Sequence, residues 1–374
     1  MQKVGIICEY NPFHNGHLYH INKIKEMYPD STIILVMSGN ITQRGDLSVI
    51  NKWDKTDIAL HYGIDLVIEL PFIYATQSAD IFCYASITIL NYLKVNKIVF
   101  GSESNNIEFI TKLAETQLNN DDYNNKIQNY LKEGLNYPTA LAKSLEDITN
   151  INIKTPNDIL AIGYVREILK NNYDITPITI KRTSDYNSKE LSDVISSATS
   201  IRESIKKNIE ISKYVPNYSL KFINNIFIDM YFDLIKYKII SEINNLDKYQ
   251  SVDENIIPRI KKYIYTSNSL DEFILNIKTK NYTYNRIKRM IIHILFSITK
   301  EEIINNNKIN YIRILGFNKK GKQYLNKIKK EINIPLITKY DEQYLSIESR
   351  ITNILNIKLN NNFEYEYKPI IKED

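Results

Sequence analysis

Three of the five histidines in this chain, His14, His17 and His20, fall in one stretch, CEYNPFHNGHLYH, directly after the apolar run KVGIIC (3–8). His14-Asn15-Gly16-His17 sets two imidazoles three residues apart with a glycine between them. Imidazole N–H groups donate to phosphate oxygens, and a residue without Cβ lets a phosphate come close to the backbone. Where such a stretch turns from a strand into a helix, unpaired N–H groups and the helix dipole point at the same anion. The spacing suits a triphosphate, with His14 and His17 on α- and β-phosphate oxygens. A capped helix with surface histidines would give the same letters; the position directly after a first strand favours phosphate. Zinc is the competing use of clustered histidines. No cysteine or third ligand has suitable spacing, and a turn into a long helix does not converge them, so no protein-held metal is expected. His20, on the helix itself, reads as a packed or solvated histidine.

A second phosphate handle lies at VISSATSIRE (194–203). Ser196 and Ser197 have the character of helix N-caps, and Arg202 follows one turn later, where it would neutralise β- and γ-phosphates. Between the two handles, SGNITQRGDLSVINKWDK (38–55) is rich in polar donors, and Gln43, Arg44 and Lys52 are candidates for orienting a substrate. Cys8 has no paired base beside it and reads as packing. Two lysine- and arginine-rich stretches stand far downstream: YNRIKRM with Arg286, Lys288 and Arg289, and NKKGKQYLNKIKK with Lys319, Lys320, Lys322, Lys327, Lys329 and Lys330. Such runs are solvated faces more often than nucleic-acid contacts.

These residues need a scaffold. With 374 residues and 43% hydrophobic content the chain can bury a core for two domains. A formal charge of +5 makes any nucleic-acid contact a local patch, and two distant cysteines point to reduced thiols in a cytoplasm. No apolar run approaches the length of a membrane span and no signal pattern opens the chain, so a soluble cytoplasmic protein is expected. Apolar runs at 3–8, 32–37, 65–70, 97–102 and 177–182 predict strands, with helices over 17–28, 54–62 and 77–93 and a helical insertion over 104–174. That alternation predicts an α/β fold, a doubly wound parallel sheet. After residue 205 it stops. The expectation is a nucleotide-binding domain over 1–204 and a mostly helical domain over 205–374, closing with a small α/β element at YLNKIKKEINIPLITKY.

Together the H-x-G-H turn and the I-S-S helix start with its arginine resemble the HIGH-type nucleotidylyltransferase superfamily, and the chain is similar more specifically to the bacterial tRNA(Met) cytidine acetate ligases. The matching stretches include VGIICEYNPFHNGHLYH (4–20), MSGNITQRGDLSVINKWDKTDIAL (37–60), IVFGSES (98–104), TPNDILAIGYV (155–165), ISSATSIRE (195–203) and YIRILGFNKKGKQYL (311–325). Residues 184–191 and 252–263 depart from the pattern. The resemblance implies an enzyme that adenylates acetate with ATP, releases pyrophosphate and passes the acetyl group to N4 of the wobble cytidine of elongator tRNA(Met), forming N4-acetylcytidine. It implies ATP binding by Gly5, Ile6, Ile7, Cys8, Glu9, Tyr10, Asn11, Pro12, Phe13, His14, Asn15, Gly16, His17, Leu18, Gly101, Asn157 and Arg182. Catalytic roles fall on His14, His17, Ser197 and Arg202. Arg286, Arg289, Lys319, Lys320 and Lys322 become candidates for tRNA. Mg2+ would accompany ATP, held mainly by the phosphates. A small-molecule adenylyltransferase making a cofactor precursor would use the same two motifs, though the long helical region argues against it. A non-catalytic RNA-binding protein is the other alternative, and the intact motif residues argue against that.

Overall fold

The computed structural model describes residues 2–152, 155–182, 196–359, 366 and 368–373. The first half alternates as expected: β1 (Lys3–Cys8), α1 (Asn15–Met27), β2 (Thr32–Ser38), α2 (Lys52–His61), β3 (Leu66–Leu70), α3 (Phe72–Ala75), α4 (Ala79–Tyr92) and β4 (Lys97–Ser102). The expected insertion holds α5 (Ile107–Asn119), α6 (Asp121–Lys132), α7 (Tyr137–Thr149) and α8 (Pro156–Lys170), before β5 (Thr176–Lys181) and α9 (Ala198–Lys206). Residues 184–191 and Ile195 lie outside the described residues.

Strands β1 to β5 are parallel, in the order β5-β4-β1-β2-β3. Their apolar continuity has a simple cause, because both faces are covered. Along β2, Ile33 and Leu35 join a core with α1, α2 and α9, while Ile34 and Val36 join another with α4 and α8 on the opposite face. All the strands deliver their carboxyl ends to one edge, and both phosphate handles follow there.

The C-terminal region begins with helices. Its helices are α10 (Asn217–Leu220), α11 (Phe232–Ser241), α12 (Ile257–Tyr263), α13 (Leu270–Ile277), α14 (Tyr284–Leu295) and α15 (Lys300–Asn305). Ile235, Phe273 and Ile291 from these helices share one apolar cluster with Ile87 of α4. The chain then returns to the first sheet. β6 (Ile312–Asn318) pairs antiparallel with β3 and leads into α16 (Lys319–Ile328); β7 (Leu336–Ile337) pairs with β6, α17 (Glu342–Leu355) follows, and β8 (Ile370–Lys372) also pairs with β6. The stretch YLNKIKKEINIPLITKY thus forms a helix running into a short strand, α16 into β7, and through β6 these strands join the edge of β3, whose N–H and C=O groups β6 pairs.

Candidate nucleotide site

The turn from β1 to α1 is shaped by its own side chains. Tyr10, buried, takes a left-handed backbone (φ 49°) and packs edge-on to Phe13, so the chain bends sharply off the strand. His14 is the N-cap of α1. Its Nδ1 accepts from the Gly16 N–H at 3.0 Å, and the Nδ1 of His17 accepts from the His14 N–H at 3.2 Å, a capping box built from two imidazoles. Each ring thereby spends its acceptor nitrogen on the backbone and keeps its proton on Nε2. The rings stack with centroids 3.8 Å apart. Burial, reinforced by Arg182 and Arg202, pushes the His14 imidazole down to about 3, and burial with His14 alongside holds His17 well below the usual range. Both are neutral donors at any ordinary pH.

Two more strand ends complete the wall. Gly101, next to last in β4, sits where an added Cβ would meet Cγ of Arg182 at 3.1 Å, so the small residue leaves Arg182 room to lie along the strand end. The Arg182 guanidinium donates to Oδ1 of Asn157 (3.4 Å), and Asn157 donates to Glu103 (2.6 Å). Asp158 anchors this corner. Its carboxylate accepts from the Ser102 and Thr155 hydroxyls and from the N–H groups of Glu103 and Ser104, at 2.5–3.2 Å, fixing the start of α8 against the end of β4. At α9, Ser197 caps the helix by accepting from the Ser200 N–H at 3.1 Å. Arg202 donates to the Asn11 carbonyl (2.7 Å) and the Thr199 hydroxyl (3.3 Å), tying α9 to the first turn.

The third side comes from the segment after β2. Glu9 accepts from the Gln43 N–H at 2.6 Å, and the Gln43 amide donates to the Gln77 carbonyl at 2.8 Å. Lys55 of α2 is fully buried and donates to the carbonyls of Glu9, Ser38 and Gly39 at 3.0, 2.8 and 2.7 Å, pinning the ends of β1 and β2 together. Burial lowers this ammonium to about 7. These elements enclose a cavity of about 530 Å³ whose walls carry His14, His17, Arg182, Arg202, Gln43 and Arg44, with Phe82, Phe100 and Leu160 as an apolar side. Size and lining suit a nucleotide. Convergent N–H donors and cations select anions.

The model of the family described as HIGH nucleotidyl transferase matches residues 1–369. The chain belongs to this family. A tRNA(Met) cytidine acetate ligase of Clostridium perfringens is 39% identical, covering 99% of this chain and 100% of that one. A protein of the same name from Thermoanaerobacter sp. is 40% identical over 91% of this chain and 89% of the other. Crystal structures of Thermotoga maritima TmcAL, one apo and one bound with alpha-thio ATP, each superpose with a TM-score of 0.88 at 28% identity, covering both chains completely.

Within this HIGH nucleotidyl transferase fold, Ile7, Cys8, Glu9, Tyr10, Asn11, His14, Gly16, His17, Gly101, Asn157, Arg182 and Arg202, all named from the sequence, line the cavity. Gly5, Ile6, Pro12, Phe13, Asn15, Leu18 and Ser197 do not. Ile6 and Phe13 are core residues, Gly5 packs under Leu90, and Asn15 is bonded to the Lys213 and Tyr214 carbonyls. The cavity side of the α9 start is presented by Ala198 and Thr199. Lys52 does not face the cavity as a substrate-orienting residue would: it is buried among Glu69 and Glu366 at 3.1 and 3.2 Å, where its two carboxylate partners offset the cost of burying the ammonium. Cys8 fits its packing role, with burial pushing the thiol up to about 12. Sequence reasoning misses His20, Thr199 and Asp158. His20 lines the cavity with Nε2 lacking a hydrogen-bond partner among the described residues, and its place three residues after His17, on the same side of α1, is the signal that marks it. Of the candidate RNA contacts, α14 borders the cavity through Asn285, with Lys288 paired to Asp46. Lys319, Lys320 and Lys322 begin α16, beside Asp65 at the amino-terminal ends of the strands; Lys320 donates to the Ser31 carbonyl at 2.5 Å.

Proposed function

We propose that this protein activates acetate with ATP as acetyl-adenylate and transfers the acetyl group to N4 of the wobble cytidine of elongator tRNA(Met). The observation that carries the reading is the pair of neutral, Nε2-protonated imidazoles facing Arg182 and Arg202 across one cavity at two helix starts. Acetate is a poor acyl donor because its leaving group would be oxide. Attack by its carboxylate oxygen on the α-phosphorus breaks the bond to the β-phosphate and makes AMP the new leaving group. His14 and His17 donate to the phosphate oxygens on which charge develops, as preorganised donors do. Arg202, with the N–H groups of the α9 start that Ser197 caps, holds the departing pyrophosphate; Arg182, fixed by Asn157, holds the nucleotide at the end of β4. Mg2+ would accompany ATP, held mainly by the phosphates themselves. Supporting the acceptor and the acetate are the names of the relatives at about 39% identity. A tRNA substrate implies a cytoplasmic setting, and no described helix is long and apolar enough to cross a membrane. The test is incubation of purified protein with ATP, carbon-labelled acetate and tRNA, followed by sequencing of the labelled fragment. Label on the wobble cytidine is expected. Label that requires acetyl-CoA, or pyrophosphate exchange that proceeds without acetate, overturns the reading.

A further inference from the structure

The cavity is built for anions, yet Glu9 opens into it. Of the two carboxylates in its lining, Asp46 is ion-paired with Lys288. Glu9 is held differently. Its Oε1 accepts from the Gln43 N–H at 2.6 Å and from the Ser38 hydroxyl at 3.5 Å, its main-chain carbonyl takes the Lys55 ammonium, and its Oε2 has no partner among the described residues. Acetate, pyrophosphate and the phosphates of ATP are anions and repel this oxygen, so in the first half-reaction it can meet only the neutral donors of ATP, the adenine amine and the ribose hydroxyls, a role that the two partial reactions below separate from contact with the acceptor. A divalent cation is disfavoured, because Lys55, Arg44 and Arg202 already set positive charge around the carboxylate. What remains is a neutral N–H donor.

Resting on the proposed function, we infer that Glu9 is the general base of the second half-reaction, receiving a proton from the exocyclic amine of the target cytosine. A carboxylate is the side chain that matches this amine, which offers only N–H groups. The amine is weakly nucleophilic because its lone pair is delocalised into the ring, so losing a proton during attack is where an enzyme gains most. The nitrogen lone pair forms the bond to the acetyl carbonyl carbon. The bond from that carbon to the AMP oxygen breaks, its electron pair leaving with AMP, and the N4 proton passes to Oε2 of Glu9 and then to solvent. The Gln43 N–H holds Oε1 and leaves Oε2 without a partner among the described residues. Burial raises the proton affinity of the carboxyl, opposed by Lys55 on α2, Arg44 after β2 and Arg202 on α9, with Cys8 on β1 and Tyr164 on α8 also facing it.

Two partial reactions separate this role from others: acetate-dependent pyrophosphate exchange, and single-turnover transfer from synthetic acetyl-adenylate to tRNA. Glu9→Gln keeps an oxygen for the Gln43 N–H but cannot take a proton, and transfer should fall about 100-fold more than exchange. Glu9→Asp should recover part of the loss. Parallel loss of both reactions in a variant that melts like the wild type, or transfer at the wild-type rate, overturns the assignment. If Glu9→Gln does not fold, the wild-type pH profile decides: transfer should decline as pH falls through the raised carboxyl range while exchange does not, and matching profiles overturn it. Wild-type protein that exchanges pyrophosphate yet acetylates no tRNA would instead remove the acceptor of the proposed function.

Discussion

His14 and His17 do two jobs with one ring each. The Nδ1 atoms close the start of α1 and so dictate that Nε2 carries the proton offered to the cavity. His17→Ala should lose about 2–4 kcal/mol of transition-state stabilisation, read as kcat/KM for pyrophosphate exchange. An unchanged value would take His17 out of the chemistry. His293 makes a different point about buried imidazoles. It is fully buried on α14, bonded at 3.1 Å to the Thr76 carbonyl, and burial followed by Arg289 lowers it to about 4. A histidine held below its unfolded value stabilises the fold above about pH 6.5, and the contribution is lost as pH falls toward 4, at about 1.4 kcal/mol per pH unit. His293→Gln should therefore be destabilising at pH 7.5 and about 1–1.5 kcal/mol less so at pH 5.5, measured by denaturant melts at both. An equal penalty at the two pH values would mean His293 titrates normally. The histidine pair was legible from sequence because its spacing and its place after a strand are local. Asp158 and Thr199 were not. Asp158 reaches Ser102, Glu103 and Ser104, more than 50 residues away, and no periodicity shows such a bond.

At the scale of elements, β1 to β5 were readable because strands covered on both faces are apolar without interruption. β6 was not readable, and the reason is specific. IRILGFN carries Arg313 at a buried position, its two terminal guanidinium nitrogens donating to the Lys339 and Glu366 carbonyls at 2.9 and 2.7 Å while Nε has no partner among the described residues, and Gly316 further breaks the run. A charge in a central strand reads as a surface until its partners, 26 and 53 residues on, are known. The junction of β6 with α16 is tight. An added Cβ at Gly321 would lie 1.9 Å from the Asp65 carbonyl oxygen, a backbone atom that cannot swing aside. Gly321→Ala should cost about 1–3 kcal/mol by overpacking, seen as a lower melting temperature; wild-type stability would show that α16 slides freely. Asp158→Ala leaves several buried donors unpaired and should cost about 2–4 kcal/mol, raising the KM for ATP as Asn157 and Arg182 lose their frame.

Across the whole molecule, the two basic stretches occupy opposite ends of the sheet. Lys319 and Lys322 stand at the amino-terminal edge, roughly 20 Å of strand away from the cavity, whereas Arg286 and Arg289 are on α14, the helix whose Asn285 lines it. Burial, then Arg286 and Arg44, lower the Arg289 guanidinium to about 10. If tRNA approaches with its target base entering the cavity, Arg286→Gln with Arg289→Gln should raise the tRNA Kd about 10-fold or more and lower the salt slope by about 1–2, while Lys319→Gln with Lys322→Gln should change it about 2-fold or less. The reverse ranking in a salt titration would move the RNA surface to α16. The return of the chain to β3 also sets a timetable. Leu66–Leu70 has to wait for a partner that lies roughly 240 residues further along. At about 5–20 residues per second on a ribosome, the edge of a fully buried strand is left open for about 12–50 s. The first half of the sheet is thus born with a sticky margin, and chains released before Ile312 should be found in the insoluble fraction or bound to chaperones.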